Sequence, residues 1–161
     1  MALTVKQKNI RVGLAAITLM VVGALVANSL GNDPETTVKV ERVIDGDTFV
    51  AEVDGVVETV RLIGINAPEL GSCYATQSHD LLARLVDRSD IWLATGMEKR
   101  DPYGRLLAYV FHDDGFFVNL EMVRAGAAEA MTMKPNNEFA SLIGEAHDEA
   151  AIASRGGWSR C

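Results

Sequence analysis

Three short stretches gather the side chains best suited to chemistry. Asp45-Gly46-Asp47-Thr48 sets two carboxylates and a hydroxyl around a glycine. Arg61 to Glu69 reads Arg-Leu-Ile-Gly-Ile-Asn-Ala-Pro-Glu, an apolar strand with a guanidinium at its start and Asn66 and a carboxylate at its end. Asp101 to Tyr109 reads Asp-Pro-Tyr-Gly-Arg-Leu-Leu-Ala-Tyr. Each has an ordinary explanation when taken singly. Asp-Gly-Asp is a turn signal, a lone strand arginine is an edge residue, and a glutamate after proline is a surface carboxylate. Together they suit one chemistry. A hard cation needs several oxygen ligands, which Asp47, the Asn66 side chain and nearby carbonyls offer. Cleavage of a phosphodiester needs charge compensation on the phosphoryl oxygens, which two arginines supply bidentately. It also needs a group to position or deprotonate water, and Glu69 suits that role.

The elements around these stretches follow from apolar patterning. Val38, Val40 and Val43 open a strand, and Thr48 to Val53 forms a second. Asp54-Gly55 then marks a two-residue hairpin into a third strand, Val56 to Ile65. A helix from about Thr76 to Arg88 carries Leu81, Leu82, Leu85 and Val86 on one face. Ile91 to Thr95 and Arg105 to His112 read as two more strands, with a turn at 113–115. Val118 to Ala125 is a short helix stopped by Gly126. The last helix runs from about Asn137 to Ser154, with Phe139, Leu142, Ile143, Ala146, Ala150 and Ala153 as its apolar stripe, and Gly156-Gly157 ends it. The expectation is an α+β domain, a five-stranded OB-like barrel with three helices.

That domain occupies residues 38–161. Ahead of it, Lys6, Lys8 and Arg11 precede an uncharged run of 19 residues, Val12 to Leu30, long enough for a hydrophobic helix that just spans a bilayer. The basic residues would keep the N-terminus in the cytoplasm and place the rest outside. Residues 1–30 are therefore expected to be a signal peptide or membrane anchor, and 31–37 a polar linker. Ala27-Asn28-Ser29 offers a cleavage site, whereas the length of the run favours an uncleaved anchor.

The whole chain of 161 residues carries 15 basic and 22 acidic side chains, a net of −7. Residues 1–35 hold three basic and two acidic ones, so the remainder stands at 12 against 20, or −8. Such a balance argues against a basic coat on nucleic acid. Any polyanionic partner must be caught by a local site of arginines and a divalent ion. With 48% apolar residues, general disorder is excluded as well.

These motifs resemble the staphylococcal-nuclease-like, or thermonuclease, family. The matching blocks are Ile44 to Thr48, Arg61 to Glu69, Asp101 to Tyr109, Val118 to Gly126 and Lys134-Pro-Asn-Asn137, in that order. The resemblance implies an OB-fold with three helices and a Ca²⁺-dependent phosphodiesterase acting on DNA and RNA, preferably single-stranded, as a monomer. By motif it implies that Asp47, Asn66 and the Ala67 carbonyl ligate Ca²⁺ and that Glu69 orients or deprotonates water. Arg61 and Arg105 would grip the scissile phosphate, with Tyr103 beside the nucleotide. Two positions depart from the pattern. Asn66 stands where the family usually has a ligating Asp, so Ca²⁺ affinity should be reduced. Met131 and Met133 stand where the family can carry base-stacking tyrosines and are here core or adaptable contacts.

Cys73 and Cys161 are the only cysteines, which in an exported domain suggests a disulfide, with two unrelated thiols as the alternative. His79, His112 and His147 lack metal-ligand spacing and read as surface or packing residues. The competing functional reading is a non-catalytic OB-fold module binding nucleic acid or protein at the cell surface. Modules of that kind lose the catalytic carboxylates and arginines, whereas Asp47, Arg61, Glu69 and Arg105 are all present here.

Overall fold

The computed structural model describes residues 38–87 and 90–161. The expected N-terminal helix, 1–30, and the linker, 31–37, lie outside the described residues. Among the described residues no helix is long and apolar enough to cross a membrane.

Five strands form one mixed sheet: β1 (Val38–Asp45), β2 (Thr48–Val53), β3 (Val56–Leu62), β5 (Ile91–Arg100) and β6 (Leu106–His112). Their order is β1-β2-β3-β6-β5, with β3 and β6 parallel and the other pairs antiparallel. The sheet curls enough to bring β1 against β5, the curvature an OB-like barrel requires. Three helices cover it: α1 (Ala75–Val86), α2 (Val118–Arg124) and α3 (Ala140–Ile152). A small antiparallel ribbon, β4 (Ile65–Asn66) with β7 (Glu129–Ala130), and a terminal turn of helix, α4 (Gly157–Arg160), complete the domain.

Local chemistry accounts for most of these elements. Asp54 and Gly55 both have positive φ, 51° and 82°, as a two-residue hairpin that matches strand twist requires. In β1 the apolar spacing changes from two residues (Val38, Val40) to three (Val40, Val43). The β1–β2 register slips between Val40 and Arg42, and this bulge keeps all three valines against the core. Phe49, Val60, Leu62 and Val110 from the sheet meet Leu82, Met122 and Ile143 from the helices in a single core.

Several expectations need correction. The third strand does not run on to Ile65, because Ile63 and Gly64 (φ 83°) turn the chain out of the sheet into β4. Strand β5 continues five residues beyond Thr95. Its pairing with β6 is irregular between Thr95 and Arg100, and Asn136 takes over there. The Asn136 side chain accepts the Glu98 N–H (2.9 Å) and donates to the Glu98 carbonyl (2.7 Å), with Gly96 leaving room for it. The last helix starts at Ala140 rather than Asn137. Within it Ile143, Ala146 and Ala150 are buried, whereas Leu142 is 43% exposed and Ala153 faces solvent. One side of a short helix against the sheet is narrower than the stripe the sequence offers. The helix also ends at Ile152, before Gly156-Gly157: Ser154 (φ 50°) turns the chain, its N–H and that of Arg155 closing on the Ala151 and Ala150 carbonyls, and Gly157 instead opens α4.

Two contacts set the frame for the acidic turn at 45–48 and for the segment after β4. A Cβ built on Gly46 would lie 1.8 Å from Ser78 Oγ and 2.7 Å from the Ala67 Cβ, so α1 is packed directly onto the turn. Ser78 is itself fixed, donating to the Ala127 carbonyl at 2.7 Å. Beyond β4, Cys73 is bonded to Cys161 across 88 positions, with a Cα separation of 5.9 Å, which ties the 67–74 segment to the chain end.

Gly46→Ala is expected to destabilise the domain by about 1–3 kcal/mol through this overpacking. The fall should be read as a lower urea midpoint. Replacing both cysteines by Ser should cost about 2–4 kcal/mol, since a long closed loop is released in the unfolded chain. The same urea titration under non-reducing conditions checks it; a midpoint equal to the parent's would contradict the expectation.

Candidate active site

The turn between β1 and β2 delivers Asp47 into the interior. Its N–H donates to Asp45 Oδ1 (3.0 Å), a local turn bond, and the carboxylate is nearly fully buried. There Oδ1 accepts the Thr48 hydroxyl (2.9 Å), and Oδ2 accepts the Ala67 N–H (2.7 Å). Arg61 Nη2 stands 3.1 Å from the same Oδ2. Burial pushes the Asp47 carboxyl above the ordinary aspartate range and Asp45 adds to this, against the pull of Arg61 and of the bonds from Ala67 and Thr48.

Arg61 comes from the end of β3, directly opposite Thr48 in the β2 register. Its side chain is also buried and turned back on its own strand end, donating through Nη1 to the Leu62 carbonyl and through Nη2 to the Ile65 carbonyl (2.8 Å). Two of the guanidinium's five N–H groups are thereby given to carbonyls, and Asp47 faces Nη2 as an ion-pair partner. Burial lowers its affinity for the proton, with Asp47 opposing. Arg105, Asp45 and Asp101 also act on Arg61 electrostatically, so the fold gathers these charges at one end of the sheet.

Arg105 sits just before β6, whose Leu107 pairs with Arg61 across the parallel ladder. It is partly exposed and held by Asp101, which accepts the Nε–H at 2.6 Å. The Arg105 Nε bond and nearby N–H groups overcome the burial of Asp101 and keep its carboxyl below the usual range. Tyr103 is 85% exposed, and the Arg105 guanidinium carbon lies 5.6 Å from its ring centre. Glu69 is exposed at the start of the segment after β4, where its carbonyl accepts the Ser72 N–H at 2.9 Å. Asn66 is exposed on β4, opposite Glu129.

Met131 and Met133 pack around Gly64 rather than standing free. Met131 donates its N–H to the Gly64 carbonyl (2.8 Å), and Met133 Sδ accepts the Gly64 N–H (3.5 Å). Of the histidines, His112 is buried, with Nε2 2.8 Å from the Leu85 carbonyl oxygen, and His147 Nδ1 accepts the Ala130 N–H. His79 pairs with Asp80 at the surface.

Among the described residues, no three His, Cys, Asp or Glu side chains converge as a metal-binding group. Any cation here must draw on few carboxylates. The Asp47 carboxylate accepts two hydrogen bonds and faces Arg61 as an ion pair, which leaves part of its lone-pair capacity open. With the Asn66 amide oxygen and backbone carbonyls, the donors on offer would be all oxygen, the kind a hard cation such as Ca²⁺ takes in preference to a softer metal.

Motif reading included Thr48 and Asp101 in its stretches without giving either a role, and it missed the Glu58–Arg100 pair altogether. Thr48 braces Asp47 from the next position. Asp101 stands four residues before Arg105, a spacing that would have flagged the pair. Glu58 of β3 grips Arg100 with both carboxylate oxygens, and Arg100 also donates to the Gly104 carbonyl (2.8 Å). That clamp joins residues 42 positions apart, and nothing local in the sequence signals it.

Comparison with known proteins agrees with this geometry. Residues 59–160 match the family model for staphylococcal nuclease homologues. A thermonuclease of Staphylococcus hyicus is 32% identical over 143 residues, covering 85% of this chain and 84% of that protein. A thermonuclease of Staphylococcus intermedius is 35% identical over 127 residues, 75% of each chain. An uncharacterised endonuclease of Escherichia coli is 35% identical over 121 residues, 75% of this chain and 76% of the other. A sheet end carrying Asp47, Arg61 and Arg105, within a match of this extent, places the chain in the staphylococcal nuclease homologue family.

Proposed function

We propose that this chain is an exported, Ca²⁺-dependent nuclease that hydrolyses phosphodiester bonds in DNA and RNA, preferably in single strands. The observation that carries the reading is the buried Asp47–Arg61 pair with Arg105 on the neighbouring strand. It offers guanidinium N–H groups beside an oxygen-rich cation site. Export is supported by the uncharged run of 19 residues behind Lys6, Lys8 and Arg11, and by a disulfide, which persists in oxidising compartments. The run would leave the domain either secreted or tethered to the membrane, acting as a monomer.

In this reading the N–H groups of Arg61 not given to carbonyls and the η-nitrogens of Arg105 bind the phosphoryl oxygens and stabilise the charge that builds there. Glu69 accepts a proton from the attacking water. The water oxygen bonds to phosphorus, the bond to the 5′-oxygen breaks, and that oxygen takes a proton from solvent, leaving a 3′-phosphate as the family resemblance implies. Ca²⁺ bound by Asp47, Asn66 and the Ala67 carbonyl would supply Lewis-acid charge neutralisation at the same phosphate.

A fluorescent single-stranded oligonucleotide should be cut in Ca²⁺ and spared in chelator, and Arg105→Ala should slow cleavage by about 10³-fold or more. No Ca²⁺-dependent cleavage from neutral to alkaline pH would favour the binding module instead. At the cation site, Asn66→Asp adds ligand charge and should tighten Ca²⁺ binding several-fold in a calorimetric titration. Equal or weaker binding in the Asp variant would remove Asn66 from the ligand set.

A further inference from the structure

The carboxylate of Asp101 organises the whole 101–105 turn. Oδ1 accepts the N–H groups of Tyr103 (3.0 Å) and Arg105 (2.9 Å), while Oδ2 accepts the Arg105 Nε–H (2.6 Å). The Asp101 side chain is only 8% exposed, which partly shelters the two Arg105 bonds from competing water, while the Tyr103 bond lies at the surface. The backbone closes the same turn, with the Gly104 N–H donating to the Asp101 carbonyl and the Asp101 N–H donating to the Arg105 carbonyl. From outside, Arg100 donates to the Gly104 carbonyl and to Glu58, which fastens the turn to β3, the strand that also carries Arg61.

We propose that Asp101 is a positioning residue for phosphodiester hydrolysis: by holding the Nε edge of Arg105, it aims the two η-nitrogens at the phosphoryl group. The inference rests on the nuclease reading above. A free arginine has about 2 kcal/mol of rotamer entropy to lose when it binds. A guanidinium is planar, so one bond at Nε leaves the paired η-nitrogens as the fork that bidentate recognition uses. Tyr103 lies beside that plane, its ring centre 5.6 Å from the guanidinium carbon. Asp101 and Arg105 also both act on Arg61, which puts the held fork in the same field as the buried guanidinium.

Asp101→Asn separates orientation from turn structure. Its amide oxygen can still accept the two backbone N–H groups, but its NH₂ faces the Arg105 Nε–H and cannot accept it. In the Ca²⁺ oligonucleotide assay, kcat should fall by about 10²-fold, with KM changed by less than about threefold. In an Arg105→Ala background, the same substitution should cost no more than about twofold further, because its effect passes through Arg105. The Arg105 Nε–H resonance should shift in the ¹⁵N spectrum of Asp101→Asn, while the urea midpoint confirms a folded chain. A cleaving parent combined with unchanged kcat in Asp101→Asn, or with fully additive losses, overturns the inference alone. A parent that does not cleave overturns the nuclease reading and this inference with it.

Discussion

The interior contact between Asp47 and Arg61 is the constraint around which the functional end of this domain is built. Taking a carboxylate and a guanidinium out of water costs several kcal/mol for each ion, and attraction repays it only where every remaining polar position is met. Here they nearly all are. Asp47 is met by Thr48, Ala67 and Arg61, and Arg61 by the carbonyls of Leu62 and Ile65. Those partners belong to β2, to the end of β3, to β4 and to the residue after it, so one ion pair joins four successive pieces of chain. The Leu62 N–H adds a backbone bond to the Asp47 carbonyl at 2.9 Å. Gly46 is obligatory for the same reason, because α1 presses Ser78 onto the turn that delivers Asp47.

The two arginines are held by opposite means. Arg61 is buried, gives two N–H groups to carbonyl oxygens and pairs its charge with Asp47, so it is a structural part of the domain in its own right. Arg105 stays partly exposed, with a single carboxylate on its Nε edge. In the proposed reaction a rigid cation and an aimed one would close on the phosphate from two neighbouring pieces of chain, which one flexible lysine could not reproduce.

Features written in neighbouring residues were legible in the sequence. The Asp54-Gly55 turn, the acidic turn at 45–48 and the strand bearing Arg61 all follow from spacing and from residues with special backbone preferences. What stayed hidden depends on pieces far apart in the chain. The β4–β7 ribbon is two residues a side, too short to show alternation, and exists because Gly64 turns the chain out of the sheet. Asn136 replaces a strand partner for Glu98 across 38 positions. Leu142 matched the apolar period of α3 yet stayed exposed, because periodicity gives the width of a stripe but not how much of it a neighbour covers. Among the site residues, Asp47, Arg61 and Arg105 were found by type. Of the groups that hold them, Thr48 and Asp101 stood in the quoted stretches without an assigned role, and the Glu58–Arg100 clamp became visible only in three dimensions.

Charge explains why such a site would need a divalent ion. Asp45, Asp47 and Asp101 set three carboxylates against the two guanidiniums of Arg61 and Arg105, a local excess of one negative charge. The surrounding domain, at −8, adds to the repulsion of any polyphosphate within a Debye length, about 8 Å at physiological salt. Each arginine is already paired with an aspartate, so neither presents an uncompensated positive charge. One doubly charged cation would reverse that sign, so that in the proposed reaction the guanidinium N–H groups could act on phosphate rather than merely balance aspartates. For the proposed reaction, calcium would thus set the sign of the site as well as activate its chemistry, and substrate capture would depend on a few close contacts instead of a wide basic surface.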